Sequence, residues 1–199
     1  CDPHQGFDGT GAPARHTKAD AARIMMLANG LLLSKAGERI GVLGSGRNAS
    51  FGKAAADKLG EDLTNPASQT FPPPPRARAI FTIASDFYDP VEVWRERLAP
   101  LARASKEGIL LSLSDPIEED FPWQGRVRFS RPGEAMSRIF GRAESIRETY
   151  LARYREQAAR MEALAASLGW QYVRHSTGSD IALGAAGLKQ AFETFGARL

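Results

Sequence analysis

The sequence predicts an α/β domain, a mostly parallel sheet with helices on both faces. Apolar runs of strand length, Ala79 to Ala84 and Ile109 to Leu113, are separated by stretches with apolar residues at helical spacing. Strands alternating with helices imply right-handed crossovers and a parallel sheet buried from both sides. In addition, both runs end in a hydroxyl and a carboxylate, Ser85-Asp86 and Ser114-Asp115. Open α/β sheets bind their ligands beyond the carboxyl ends of their strands.

Residues 1–17 are rich in Gly, Pro, His and Asp and read as loop. From Lys18 to Lys35, apolar residues at Ala21, Ile24, Met25, Leu27, Ala28, Leu31 and Leu32 give a helix. Thr17 is its expected N-cap and Gly37 its stop. Arg39 to Leu43 is expected as a short strand ended by Gly44-Ser45-Gly46. A second helix is expected over 49–63, weakened by Gly52 and Gly60. Residues 65–75 include four consecutive prolines and make an irregular connection.

After the strand at 79–84, Asp89-Pro90 opens a helix running to about Ser105, and the strand at 109–113 follows. Asp115 to Gly125 reads as an acidic loop, and Arg126 to Ser130 alternates like a half-exposed strand. The longest helix is expected over 139–168, with Tyr150, Leu151, Tyr154, Met161, Leu164 and Leu168 on its apolar side and Gly169 at its end. Trp170 to Arg174 is the last strand, and Asp180 caps a final helix reaching Phe195. The first helix has no strand in front of it, so the sheet's first strand is expected upstream of Cys1.

The 199 residues suit one domain able to bury a good core. Apolar content of 43% and charged content of 25% are those of an ordinary soluble globule. The net charge of +3 is spread through the chain, which argues against a nucleic-acid tail or a membrane patch. The lone Cys1 rules out an intrachain disulfide and fits a reducing compartment, so a cytoplasmic location is expected. No apolar run approaches the ~20 residues of a membrane span.

Several groups are candidates for chemistry. Gly44-Ser45-Gly46-Arg47-Asn48-Ala49 fits a glycine turn that could cradle a pyrophosphate through Gly44 and Gly46. The acidic partner expected about 20 residues on falls at Glu61-Asp62 inside a helix, which favours a plain turn. Asp86 reads equally as a partner-binding group or as loop architecture, and Asp89 reads as a helix cap rather than a metal ligand. Asp115, Glu118, Glu119 and Asp120 could collect a cation, although such runs are usually solvated charge. His4, His16 and His175 lack metal-ligand spacing, and no nucleophile elbow or triad can be assembled. The arginines from Arg138 to Arg160 alternate with glutamates, as on a solvated helix face.

Four blocks together carry a resemblance. They are Lys18-Ala19-Asp20-Ala21-Ala22 with Gly37 to Leu43; Ser85-Asp86-Phe87-Tyr88-Asp89; Leu113 to Glu118 with Phe121-Pro122, Gly125 and Phe129; and Ile146 to Tyr150 with His175-Ser176-Thr177. In this order the chain resembles the von Willebrand factor A-like domains of the bacterial family called domain of unknown function 58. The resemblance implies a Rossmann-like sheet over a single domain, residues 1–199, forming the C-terminal part of a longer protein. It also implies a metal-ion-dependent adhesion site on the carboxyl rim, where oxygen ligands hold Mg²⁺.

Laid on this chain, Asp2 matches the first acid of that site and Asp86 the distal one. His4 and Gly6 replace both serines, and Thr64 and Thr70 are candidates for the threonine. Imidazole is a poor ligand for Mg²⁺, so the site is degenerate. The resemblance implies a non-enzymatic module that works with a MoxR-type AAA+ ATPase in maturing or assembling other proteins. Its partner-binding rim would include His4, Ser85, Asp86 and Asp115. A nucleotide- or phosphate-binding domain using residues 44–49 is the expectation from a different class.

Overall fold

The structure is a computed structural model and describes residues 16–64, 73–74, 79–105, 107–130 and 137–196. Helix α1 spans Lys18–Lys35. The Thr17 hydroxyl accepts from the Asp20 N–H at 3.1 Å, and the left-handed Gly37 (φ 89°) lets the chain leave. Helix α2, Lys53–Thr64, starts four residues later than expected, after a left-handed Gly52.

The expected strand at 39–43 does not form. One antiparallel bridge, Ile40 to Ser50, ties this segment to its own return limb. Gly41 lets the two limbs close up: it lies so near Ala49 that a Cβ there would sit 3.2 Å from the Ala49 Cα.

Strand β1 (Phe81–Ser85), helix α3 (Val91–Ala104), strand β2 (Gly108–Ser114), helix α5 (Arg147–Ser167), strand β5 (Gln171–Ser176) and helix α6 (Ile181–Thr194) build the main body. The sheet is parallel, in the order β1-β2-β5. Because β2 is central, it is apolar toward both faces. Ile109, Leu111 and Leu113 pack with Met25 of α1 and with Leu188, Ala191 and Phe192 of α6. Leu110 points the other way, among Trp94, Leu98 and Leu101 of α3 and Met161, Leu164 and Ala165 of α5. The sheet therefore has helices on both faces. The strand spacing of Gly108 is forced, since a Cβ there would fall 2.3 Å from the buried Trp170 ring.

Two further differences from expectation sit between β2 and α5. The acidic loop contains a five-residue helix, α4 (Pro116–Asp120). The long helix does not start at 139: Val127–Ser130 (β3) pairs antiparallel with Ser137–Phe140 (β4), and a 3₁₀ turn at Ala143–Ile146 precedes α5. Phe121, Ala143 and Leu151 form a small separate core below this hairpin. Among the described residues, no helix is long and apolar enough to cross a membrane.

Candidate functional site

The carboxyl ends of β1, β2 and β5 converge with the first turn of α1. Strand β1 ends in a tight loop in which the Ser85 hydroxyl accepts from the Phe87 N–H at 3.3 Å. Phe87 itself is left-handed (φ 54°), an uncommon and costly state for a bulky residue. That turn drives the Phe87 ring inward, edge-on to Trp94 with centroids 4.7 Å apart, and leaves Tyr88 45% exposed at the surface. Gln157 of α5 pins the loop by donating to the Phe87 and Asp89 carbonyls at 2.9 and 2.7 Å.

Lys18 begins α1, yet its side chain is only 7% exposed. Its ammonium donates to Glu118 Oε1 at 2.7 Å and to Asp86 Oδ2 at 3.3 Å. It also lies 4.9 Å from the centroid of the Tyr88 ring. Burial alone would lower its pKa, but the hydrogen bond and charge of Glu118, then those of Asp86, outweigh burial and raise it above 10.5. The other oxygen of Asp86 accepts from the Tyr88 N–H at 3.4 Å.

Helix α4 exists because of this network. Asp115 caps it, accepting from the Ile117 N–H at 2.9 Å, while Glu118 reaches back to the Asp115 N–H at 2.9 Å in a capping box. The Thr177 hydroxyl, just past β5, donates to Asp115 at 2.9 Å. Glu119 accepts from the Ser114 and Ser176 hydroxyls at 2.5 and 3.1 Å, which joins the ends of β2 and β5. Burial, and then the nearby Glu118 charge, push the Tyr150 phenol up to about 12. On the α6 side of the sheet, burial lowers the pKa of His175, which is 5% exposed.

Of the residues expected at the rim, Ser85, Asp86 and Asp115 are brought together; Asp2 and His4 lie outside the described residues, as do Gly6 and Thr70. Asp89 is not the helix cap. Pro90 holds that position without a side-chain bond, and the Asp89 carboxylate, one residue too early to cap, pairs with Arg97. Gly44 and Gly46 sit in a turn with no strand before it, and α2 begins only at Lys53. The strand–turn–helix geometry that would aim N–H groups at a phosphate is therefore missing. Instead, Arg47 donates to Glu61 of α2 at 2.8 Å. The acidic run at 115–120 does gather a cation, the ammonium of Lys18.

Sequence reasoning missed Lys18, Glu118, Tyr88 and Gln157 as members of one site. The available signal was a lysine one residue after an N-cap, followed by alanines that mark a buried helix face.

Among the described residues, no group of three His, Cys, Asp or Glu side chains could hold a metal ion. The donors around Asp86 do not suit Mg²⁺: both of its oxygens face N–H groups, and one of those belongs to a cation.

A comparison with protein families decides the affiliation. The family described as Protein of unknown function DUF58 matches residues 8–160. The chain belongs to this family. No curated protein and no solved structure matches the DUF58 chain.

Proposed function

We propose that this DUF58 chain is a non-enzymatic protein-interaction module, that its sheet is part of a von Willebrand factor A-like domain, and that its carboxyl rim docks a MoxR-type AAA+ ATPase in the cytoplasm. The observation that carries this reading is how the rim's charges are spent. Lys18, Asp86, Asp115, Glu118 and Glu119 are bound to one another and to neighbouring hydroxyls and N–H groups. Reactive groups poised for chemistry need a substrate-facing acid, base or nucleophile. Groups locked in this way instead form a rigid surface with a fixed charge pattern, which suits recognition with little loss of freedom on binding.

Tyr88 supplies the anchor. It is an aromatic side chain held by a pinned backbone and exposed beside Asp86, and tyrosine is enriched among residues that dominate binding energy. Next to it, a depression of about 320 Å³ is lined by Lys18, Ala19, Ala22, Ala84, Ser85, Asp86 and Leu113, with a floor of small side chains that could receive a partner's side chain.

Cross-linking with mass spectrometry on a mixture of this protein and a MoxR-type ATPase tests the reading. Cross-links concentrated on the α1 start and the loop at 85–90 are expected. Cross-links confined to the opposite, amino ends of the strands would contradict it.

A further inference from the structure

The von Willebrand resemblance calls for a divalent ion beside Asp86, and the side chains present disagree. We propose that the Lys18 ammonium is the rim's resident cation, holding Asp86 and Glu118 together where a divalent ion would otherwise sit, so that the rim keeps its form without metal.

Three observations carry this. First, the ammonium bridges two carboxylates from separate parts of the fold, at 2.7 and 3.3 Å, and so joins α1, the loop after β1 and α4. That is the work a bridging cation does. Second, Lys18 is a committed occupant and not a passing surface charge. Its side chain is 7% exposed and is flanked by the Tyr88 ring. Third, the occupancy is exclusive. A divalent ion must approach carboxylate oxygens to about 2.0–2.6 Å. Asp86 Oδ2 and Glu118 Oε1 already face the ammonium, and the second oxygens of both side chains accept backbone N–H groups. An ammonium has donors only, so it cannot join a metal's coordination shell. The ion would have to displace it.

Among the described residues, the rim's metal independence follows from Lys18, whatever partner the rim receives.

The test is thermal unfolding of three proteins in EDTA, Mg²⁺ and Mn²⁺: the wild type, Lys18→Met, and Lys18→Met combined with Asp86→Asn. The wild type is expected to melt within about 1 °C in all three buffers. Lys18→Met is expected to melt roughly 10 °C lower in EDTA, because two half-buried carboxylates lose their counter-charge. Millimolar Mn²⁺ should then recover part of that loss by binding the vacated pair, and the double variant should not respond.

A wild-type melt raised several degrees by Mg²⁺ would overturn the proposal, and so would a Lys18→Met protein indifferent to both ions. Direct Mn²⁺ titration of the wild type followed by electron paramagnetic resonance needs no variant. Binding no tighter than millimolar is expected, and tighter binding would overturn the proposal. Neither measurement contains a partner protein, so their failure is distinct from failure of the docking reading.

Discussion

Removing the ammonium of Lys18 leaves Asp86 and Glu118 facing each other, half-buried at 23% and 16% exposure. Breaking such a pair from the side of its shared member costs about 3–5 kcal/mol when the charges are buried, and less to the degree that water reaches them. Asp86→Asn should cost much less, about 1 kcal/mol, because Lys18 keeps Glu118. Urea unfolding of the two variants gives the order, and an equal cost would deny Lys18 its bridging role.

His175 makes a pH prediction. Its folded pKa is lowered by burial, so the unfolded chain binds the proton more readily, and its contribution is complete above about 6.5 and declines below it. The melting temperature should be level from pH 8 to 7 and fall toward pH 5. His175→Leu should flatten that slope, and an unchanged slope would assign it to the carboxylates.

Asp86 and Asp115 were legible as rim residues because each closes an apolar run. Their partners were not, because Lys18 and Glu118 stand 100 residues apart and meet only through the fold.

Among the described elements, the short α4 leans most on its side-chain bonds. Five residues cannot sustain a helix by propagation, so its capping box and the Thr177 bond must hold it. Asp115→Ala should cost about 1 kcal/mol. It should also loosen Glu118, visible as faster amide hydrogen exchange at Ile117 and Glu118; protection unchanged from the wild type would mean that α4 is held by packing.

The loop after β1 leans on α5 in the same way. Gln157→Leu strands two carbonyls and should destabilise the fold by about 1–3 kcal/mol, read by the same unfolding measurement. The helices with a side-chain N-cap (α1 at Thr17, α6 at Asp180) and the continuously apolar β2 followed from sequence closely. Strand β3 also followed, from the alternation over 126–130, but β4 did not: it falls where the sequence predicts the start of the long helix, and its Ile139 is 48% exposed. The short run at 39–43 misled for the opposite reason: its apolar residues looked strand-like, while Gly41 committed it to its own return limb.

Across the whole molecule, the division of labour is between faces and rim. Both faces of the three-strand sheet are closed by helices and buried apolar side chains. The carboxyl rim is where polar groups from β1, β2, β5, α1 and α4 meet, and they satisfy one another. The parallel sheet and its rim could be read from alternating elements, because that pattern allows few topologies. What the rim does was less legible, since the bonds that join its parts, from Lys18 to Asp86 and Glu118 and from Ser176 and Thr177 to the α4 region, link residues far apart in the sequence.

The most direct test is the affinity of a MoxR-type AAA+ ATPase for the wild type and for Tyr88→Ala, measured by isothermal titration in EDTA. Binding that persists in EDTA and weakens at least about tenfold in Tyr88→Ala, a loss of about 1.4 kcal/mol, is the result expected of a metal-free rim anchored by this tyrosine. Undiminished binding by Tyr88→Ala, or binding abolished by EDTA in the wild type, would contradict it.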